Sequence, residues 1–110
     1  MAEVNQGSQA TIDVAEGEWG NVTARISGEL DIVSVGHLSG RVDDLLARPP
    51  ARLDLDLSGL AFMDSSGLAL LLRLTNQLGP LRVFGASLLI RRVVEATGLT
   101  SILLLQGTTS

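Results

Sequence analysis

The chain contains no cysteine and no lysine, so all eight of its basic side chains are arginines. Without cysteine there is no disulfide framework, no thiolate metal site and no cysteine nucleophile, a pattern compatible with a reducing cytoplasm. His37 is the only histidine. That removes multi-histidine metal sites and leaves any Ser/His/Asp triad resting on one residue of an expected helix with no nucleophile elbow, so hydrolase chemistry is not expected. The lack of lysine also excludes a phosphate loop of the Gly-x-x-x-x-Gly-Lys type, and with it the simplest nucleotide-hydrolysing reading. Aromatic residues make up 3% of the chain, as Trp19, Phe62 and Phe84, too few for a stacking platform on single-stranded nucleic acid. Net charge is −4, and no basic run is longer than Arg91-Arg92, so no direct nucleic-acid partner is expected. The longest apolar run, Leu68 to Leu72, is far too short to cross a bilayer, and Met1 to Ala10 lacks the basic and apolar regions of a secretory signal. These absences lead to the expectation of a cytoplasmic, non-enzymatic protein without metal or cofactor.

What is present is an ordinary folding composition, 45% hydrophobic and 18% charged over 110 residues, enough for one domain with one core. Residues 1–10 are polar and are expected to be a flexible lead, 11–105 the domain, and 106–110 a tail. Thr11 to Val14 reads as a short strand before a turn at Glu16-Gly17-Glu18. Asn21 to Gly28 alternates, with Val22, Ala24 and Ile26 on one face and Thr23, Arg25 and Ser27 on the other. From Ser34, a candidate cap, Val35, Leu38, Val42, Leu45 and Leu46 recur at helical spacing until Pro49-Pro50 stops them. Leu53 to Leu57 alternates again and places Asp54 and Asp56 on a wetter face of the sheet, as solvated residues rather than metal ligands. Leu68 to Leu78 is a second helix ended by Gly79-Pro80, Leu81 to Phe84 a strand, 88–96 a third helix capped by Ser87, and Ser101 to Leu105 a last strand. The order predicts an α/β domain whose later strands run parallel through right-handed crossovers.

The most informative segment is Phe62-Met63-Asp64-Ser65-Ser66-Gly67-Leu68, which leads from a strand into a leucine-rich helix. A helix start leaves backbone N–H groups unpaired and carries partial positive charge. Asp64 or Ser65 can cap it, and a phosphate there would be well received. Leu68, Leu70, Leu71, Leu72 and Leu74 wrap more than one helical face, which leaves apolar surface available to a partner.

Gly28-Glu29-Leu30-Asp31, the Phe62 to Leu68 segment and Ala96-Thr97-Gly98-Leu99, in that order and at compatible spacing, together resemble the STAS domain. In particular they are similar to the free-standing anti-sigma factor antagonists, or anti-anti-sigma factors, of bacteria. The resemblance implies a single STAS-like α/β domain with a mostly parallel central sheet, an antiparallel N-terminal strand and helices packed mainly on one face. It implies partner switching: the unmodified protein binds an anti-sigma factor that is also a serine kinase, phosphorylation releases it, and a metal-dependent serine phosphatase restores it. By position the acceptor is Ser65, with Ser66 as second choice, and Glu29, Asp31, Asp64, Gly67 and Leu68 belong to the same partner-binding surface, on a monomer or weak dimer. The family commonly continues into a C-terminal helix where this sequence has Gln106 to Ser110.

Other readings of the same residues are specific enough to separate. Asp64 and Ser65 could serve only as a helix cap, and Glu29 and Asp31 only as turn residues. A phosphate-accepting receiver domain is excluded by the missing lysine. The remaining alternative is a non-switching STAS subunit of a stress-signalling scaffold or a lipid-transport complex.

Overall fold

Alternating apolar and polar residues make one sheet from Ala10–Glu16 (β1), Asn21–Leu30 (β2), Arg52–Met63 (β3), Leu81–Phe84 (β4) and Leu103–Leu105 (β5). Helical-period segments make Ile32–Ala47 (α1), Ser65–Leu78 (α2) and Leu88–Ala96 (α3), and a short 3-10 turn spans Glu18–Gly20. The computed structural model describes residues 9–107. The expected flexible lead 1–10 and tail 106–110 therefore lie outside the described residues apart from Gln9, Ala10, Gln106 and Gly107, and Ala10 opens β1.

Spatial strand order equals chain order, with β1 antiparallel to β2 and every later neighbour pair parallel. Each crossover therefore steps across the sheet in the same direction. With one handedness of connection, stepping one way puts every crossover helix on the same face. Burial agrees: Ala24, Ile26, Leu53, Leu55, Leu57, Leu81, Val83 and Leu103 are buried beneath the helices, whereas Thr23, Arg25, Asp54, Asp56, Arg82, Phe84 and Leu104, pointing the other way, all keep some exposure. The sheet and the helices thus match the expected STAS-like architecture.

Three details depart from the sequence reading. The first helix starts at Ile32 with Asp31 as its cap, and Ser34 is the fully buried third residue of the first turn. β3 runs on past Leu57 to Met63, because register shifts between Arg25/Ser27 and Gly28/Glu29 insert extra β3 residues and break the simple alternation. The leucines of α2 leave little apolar surface for a partner: Leu68, Leu70, Leu71 and Leu74 are buried and Leu72 is half-buried. The reason is that α2 packs against β3 and α1 at once, so two of its faces are interior. The helix ends as expected, at Gly79 with φ of 84°, whose N–H donates to the Thr75 carbonyl.

Candidate functional site

Leu30, the last residue of β2, is the register partner of Met63, the last residue of β3. The next residue on each strand is an aspartate that begins a helix, so α1 and α2 start side by side along one edge of the domain, at the C-terminal ends of the strands. Asp31 accepts from the N–H groups of Val33 and Ser34 at 3.1 and 3.0 Å. Ser34 completes a capping box by accepting the Asp31 N–H at 2.9 Å, and its hydroxyl donates to the Glu29 carbonyl at 2.6 Å. Asp64 accepts from the N–H groups of Ser66 and Gly67 at 2.8 and 3.3 Å. The two helix starts are tied directly, since the Asp64 N–H donates to the Leu30 carbonyl at 3.1 Å.

Gly67 permits this closeness. A β-carbon there would sit 2.6 Å from both Leu30 Cβ and Met63 Cγ and 3.1 Å from the Leu30 carbonyl oxygen, so any side chain would push α2 off the end of β2. Gly67 and Leu68 are buried, and they hold the site in place from beneath.

Ser65 is different from every other serine that starts a helix in this fold. Asp31, Asp64 and Ser87 supply the side-chain caps of α1, α2 and α3. Ser65 is exposed, and its hydroxyl makes no hydrogen bond among the described residues. Ser66 beside it is half-buried. The cap role therefore belongs to Asp64, and the Ser65 hydroxyl stands free at the positive end of a 14-residue helix. Glu29 is exposed and Asp31 and Asp64 are partly so, which gives the surroundings of Ser65 an acidic character.

Ile32, Val33 and Phe62 are the residues that sequence reasoning missed. They are 75%, 56% and 42% exposed, on the first turn of α1 and the last residues of β3. Each is one or two positions from a capping aspartate, so the edge that carries Ser65 also carries an apolar patch. The available signal was two β-branched residues after Asp31 that fall outside the Val35, Leu38 and Val42 stripe.

The face of the sheet opposite the helices is held by its own charges. Arg82 binds Asp54 through Nε at 3.1 Å and Nη2 at 2.9 Å, Arg52 approaches the same carboxylate at 3.6 Å, and the Arg82 guanidinium lies 5.1 Å from the Phe84 ring centre. Asp54 is therefore an ion-pair partner rather than simply solvated. Its hydrogen bonds raise the Arg82 pKa further above its ordinary value. Asp56 has its pKa lowered, first by the Ser58 N–H at 2.9 Å and then by the Ser58 hydroxyl; burial opposes them, and the positive charge of Arg25 adds the smallest lowering effect. Among the described residues no cluster of three or more histidines and carboxylates is placed to hold a metal ion, and no helix is long and apolar enough to cross a membrane.

Comparison with known proteins places this geometry. An anti-sigma factor antagonist from Mycobacterium paratuberculosis is 28% identical, with a TM-score of 0.83 over 96% of this chain and 92% of that one. The anti-sigma factor antagonist SpoIIAA in its unphosphorylated form superposes with a TM-score of 0.67 at 21% identity, covering 90% of each chain. The phosphorylated form of the Bacillus cell fate determinant SpoIIAA gives 0.67 at 22% identity, covering 88% of this chain and 92% of that one, and these two likenesses show a shared fold. No curated protein matches the sequence. The family model described as "Mlab, STAS domain" matches residues 5–106, nearly the whole chain, and with the ordered strands and paired helix starts above it shows that the protein belongs to the STAS domain family.

Proposed function

We propose that this protein is an anti-sigma factor antagonist that docks through the Ser65 edge onto an anti-sigma factor with serine kinase activity, and that phosphorylation of Ser65 reverses the docking. The observation that carries this reading is the exposed Ser65 hydroxyl, without a hydrogen bond among the described residues, at a helix start already capped by Asp64, with exposed Ile32, Val33 and Phe62 within two residues of the two capping aspartates. The apolar patch supplies the area a protein partner buries, and Glu29, Asp31, Asp64 and Ser66 form its polar surroundings, with Gly67 and Leu68 positioning them from below.

The switch is electrostatic. A phosphate adds about −1.5 to −2 charges at neutral pH, next to Asp64 and at an edge already lined by Asp31 and Glu29. The positive end of α2, where Asp64 takes up the Ser66 and Gly67 N–H groups but not that of Ser65, can stabilise the phosphate itself, so the fold stays intact while the surface becomes more negative and changes shape. Each loss of about 1.4 kcal/mol weakens binding tenfold. Two or three repulsive or steric contacts are then enough for release without any large rearrangement. A metal-dependent serine phosphatase would return the protein to its binding form, in the bacterial cytoplasm, and the output would be altered sigma-factor-dependent transcription.

The test is incubation with ATP and the anti-sigma kinase from the same source, followed by intact-mass and peptide mass spectrometry. Phosphate on Ser65 is the expected result. No phosphate from an active kinase would favour the alternative, a constitutive STAS subunit of a scaffold or lipid-transport complex, which co-purification as a stable assembly would reveal.

A further inference from the structure

β3 outlasts its neighbour on one side. β4 pairs with it only from Asp54 to Asp56 and then leaves the sheet at Gly85, where an added β-carbon would sit 2.7 Å from Ser58 Cβ and 3.0 Å from the Ser58 nitrogen. β3 itself continues to Met63, paired with β2 on its other side at Gly59, Leu60, Phe62 and Met63. A strand turns its backbone N–H and C=O groups to both sides, so from Gly59 to Met63 the groups that do not face β2 have no strand to meet. Among the described residues, no hydrogen bond from a loop, a helix end or a side chain reaches this stretch. Gly59-Leu60-Ala61-Phe62-Met63 also has no charge and no proline, the residues with which proteins blunt an open strand. Ala61 and Phe62 are exposed. The outermost strands are better guarded: β1 carries Asp13 and Glu16, and β5 is three residues long.

We propose that the outer side of β3 from Gly59 to Met63 is a strand-addition site, at which an extended segment of the anti-sigma partner pairs with the β3 backbone in the place that β4 has left. The inference rests on the docking assigned above to the Ser65 edge and specifies how the partner is held there. Unmet N–H and C=O groups select an extended backbone, which supplies matching groups at the same spacing whatever its sequence. The bulges select a single segment rather than the edge of another sheet. Each of the two register shifts against β2 inserts one extra β3 residue, Ala61 at the second, and the added twist carries β3 away from any flat neighbour while one flexible chain can follow it. Apolar contacts for the side chains of that segment are at hand. Phe62 is 42% exposed within the stretch, and Leu88 and Leu89, 65% and 50% exposed, open α3 within four residues of Gly85. At about 3.3 Å per residue the stretch is about 16 Å long, room for a segment of about five residues. Met63 lies two residues before Ser65, so a phosphate on Ser65 stands at the end of the paired stretch and disrupts the pairing as it repels the rest of the partner.

Backbone pairing has a signature that side-chain contact lacks, the slowed exchange of particular amides. Hydrogen exchange is read residue by residue on the full chain, alone and bound to the anti-sigma kinase from the same source. The expected result is that the amides of Gly59 to Met63 that do not bond β2 exchange rapidly in the free protein and at least tenfold more slowly in the complex. Ala61→Lys, which puts a guarding charge on an exposed residue that has no β2 partner, should weaken binding at least tenfold with an unchanged melt. Ala15→Lys, on the exposed outer strand β1, is the control and should bind like wild type. A kinase that binds the wild type and is weakened by Ser65→Glu, yet leaves exchange at Gly59 to Met63 unchanged, overturns strand addition and leaves the Ser65 reading standing. An Ala61→Lys variant that binds like wild type overturns it as well. No binding of an active kinase to the unmodified protein overturns the Ser65 reading and strand addition with it.

Discussion

Replacing Gly67 with alanine separates packing from helix propensity in this fold. In an open helix position the change stabilises by about 0.5–1 kcal/mol, because alanine loses less backbone entropy than glycine. Gly36 and Gly40 in α1 are such positions, with nothing within 4 Å of an added β-carbon. At Gly67 the same methyl meets Leu30 Cβ and Met63 Cγ at 2.6 Å, and neither is the free end of a flexible side chain. Overpacking of this kind costs about 1–3 kcal/mol. Set against the propensity gain, Gly67→Ala should lose about 1–2 kcal/mol, a fall in Tm of roughly 5–15 °C for a domain this size. Urea denaturation of Gly67→Ala, Gly36→Ala and wild type reads the difference directly. The two variants should move in opposite directions; a Gly67→Ala protein as stable as Gly36→Ala would refute the close approach of α2 to the end of β2.

Three further outcomes follow from the same structure. Ser65→Ala should leave stability within about 0.5 kcal/mol of wild type, because the hydroxyl has no partner among the described residues and Asp64 holds the cap; a clear loss in a chemical melt would show that Ser65 is structural. Ser34→Ala should cost about 1–3 kcal/mol, since its buried hydroxyl serves both the Asp31 N–H and the Glu29 carbonyl, and a neutral result by denaturation would contradict the capping box. Asp56 has a folded pKa below its unfolded value, so its contribution is present above the ordinary carboxylate pKa and is lost as pH falls through the lowered one. Asp56→Asn should therefore be less stable than wild type near neutral pH and converge with it on acidification below about pH 4; a gap that persists in acid would assign the loss to something other than charge.

Much of this structure is legible in the sequence because local signals agree there with tertiary packing. Ser87 caps α3, Pro49-Pro50 follows α1, and Gly79 stops α2, each through backbone chemistry that needs no distant partner. Signals failed where tertiary contacts override the local pattern. Ser34 looks like a cap because it begins the buried stripe, but Ile32 and Val33 already belong to the helix and face outwards, so periodicity hides its first turn. β3 extends past Leu57 because register shifts against β2 put Leu60 and Met63 inside at a spacing that no alternation rule predicts. At the site, the motif marks Asp64, Ser65 and Asp31 as neighbours, and the register of Leu30 with Met63 explains why. The motif alone does not divide labour between the two hydroxyl-bearing candidates and the aspartate. That division rests on hydrogen bonds, which give the cap to Asp64 and leave the Ser65 hydroxyl without one among the described residues.

The central claim is that charge at Ser65 controls docking at this edge. Its most direct test is calorimetric titration of the wild type and of Ser65→Glu against the anti-sigma kinase, with a thermal melt of each. Binding by the wild type, at least tenfold weaker binding by Ser65→Glu, and equal melts are predicted. Equal affinity of the two proteins, each fully folded, would contradict the claim.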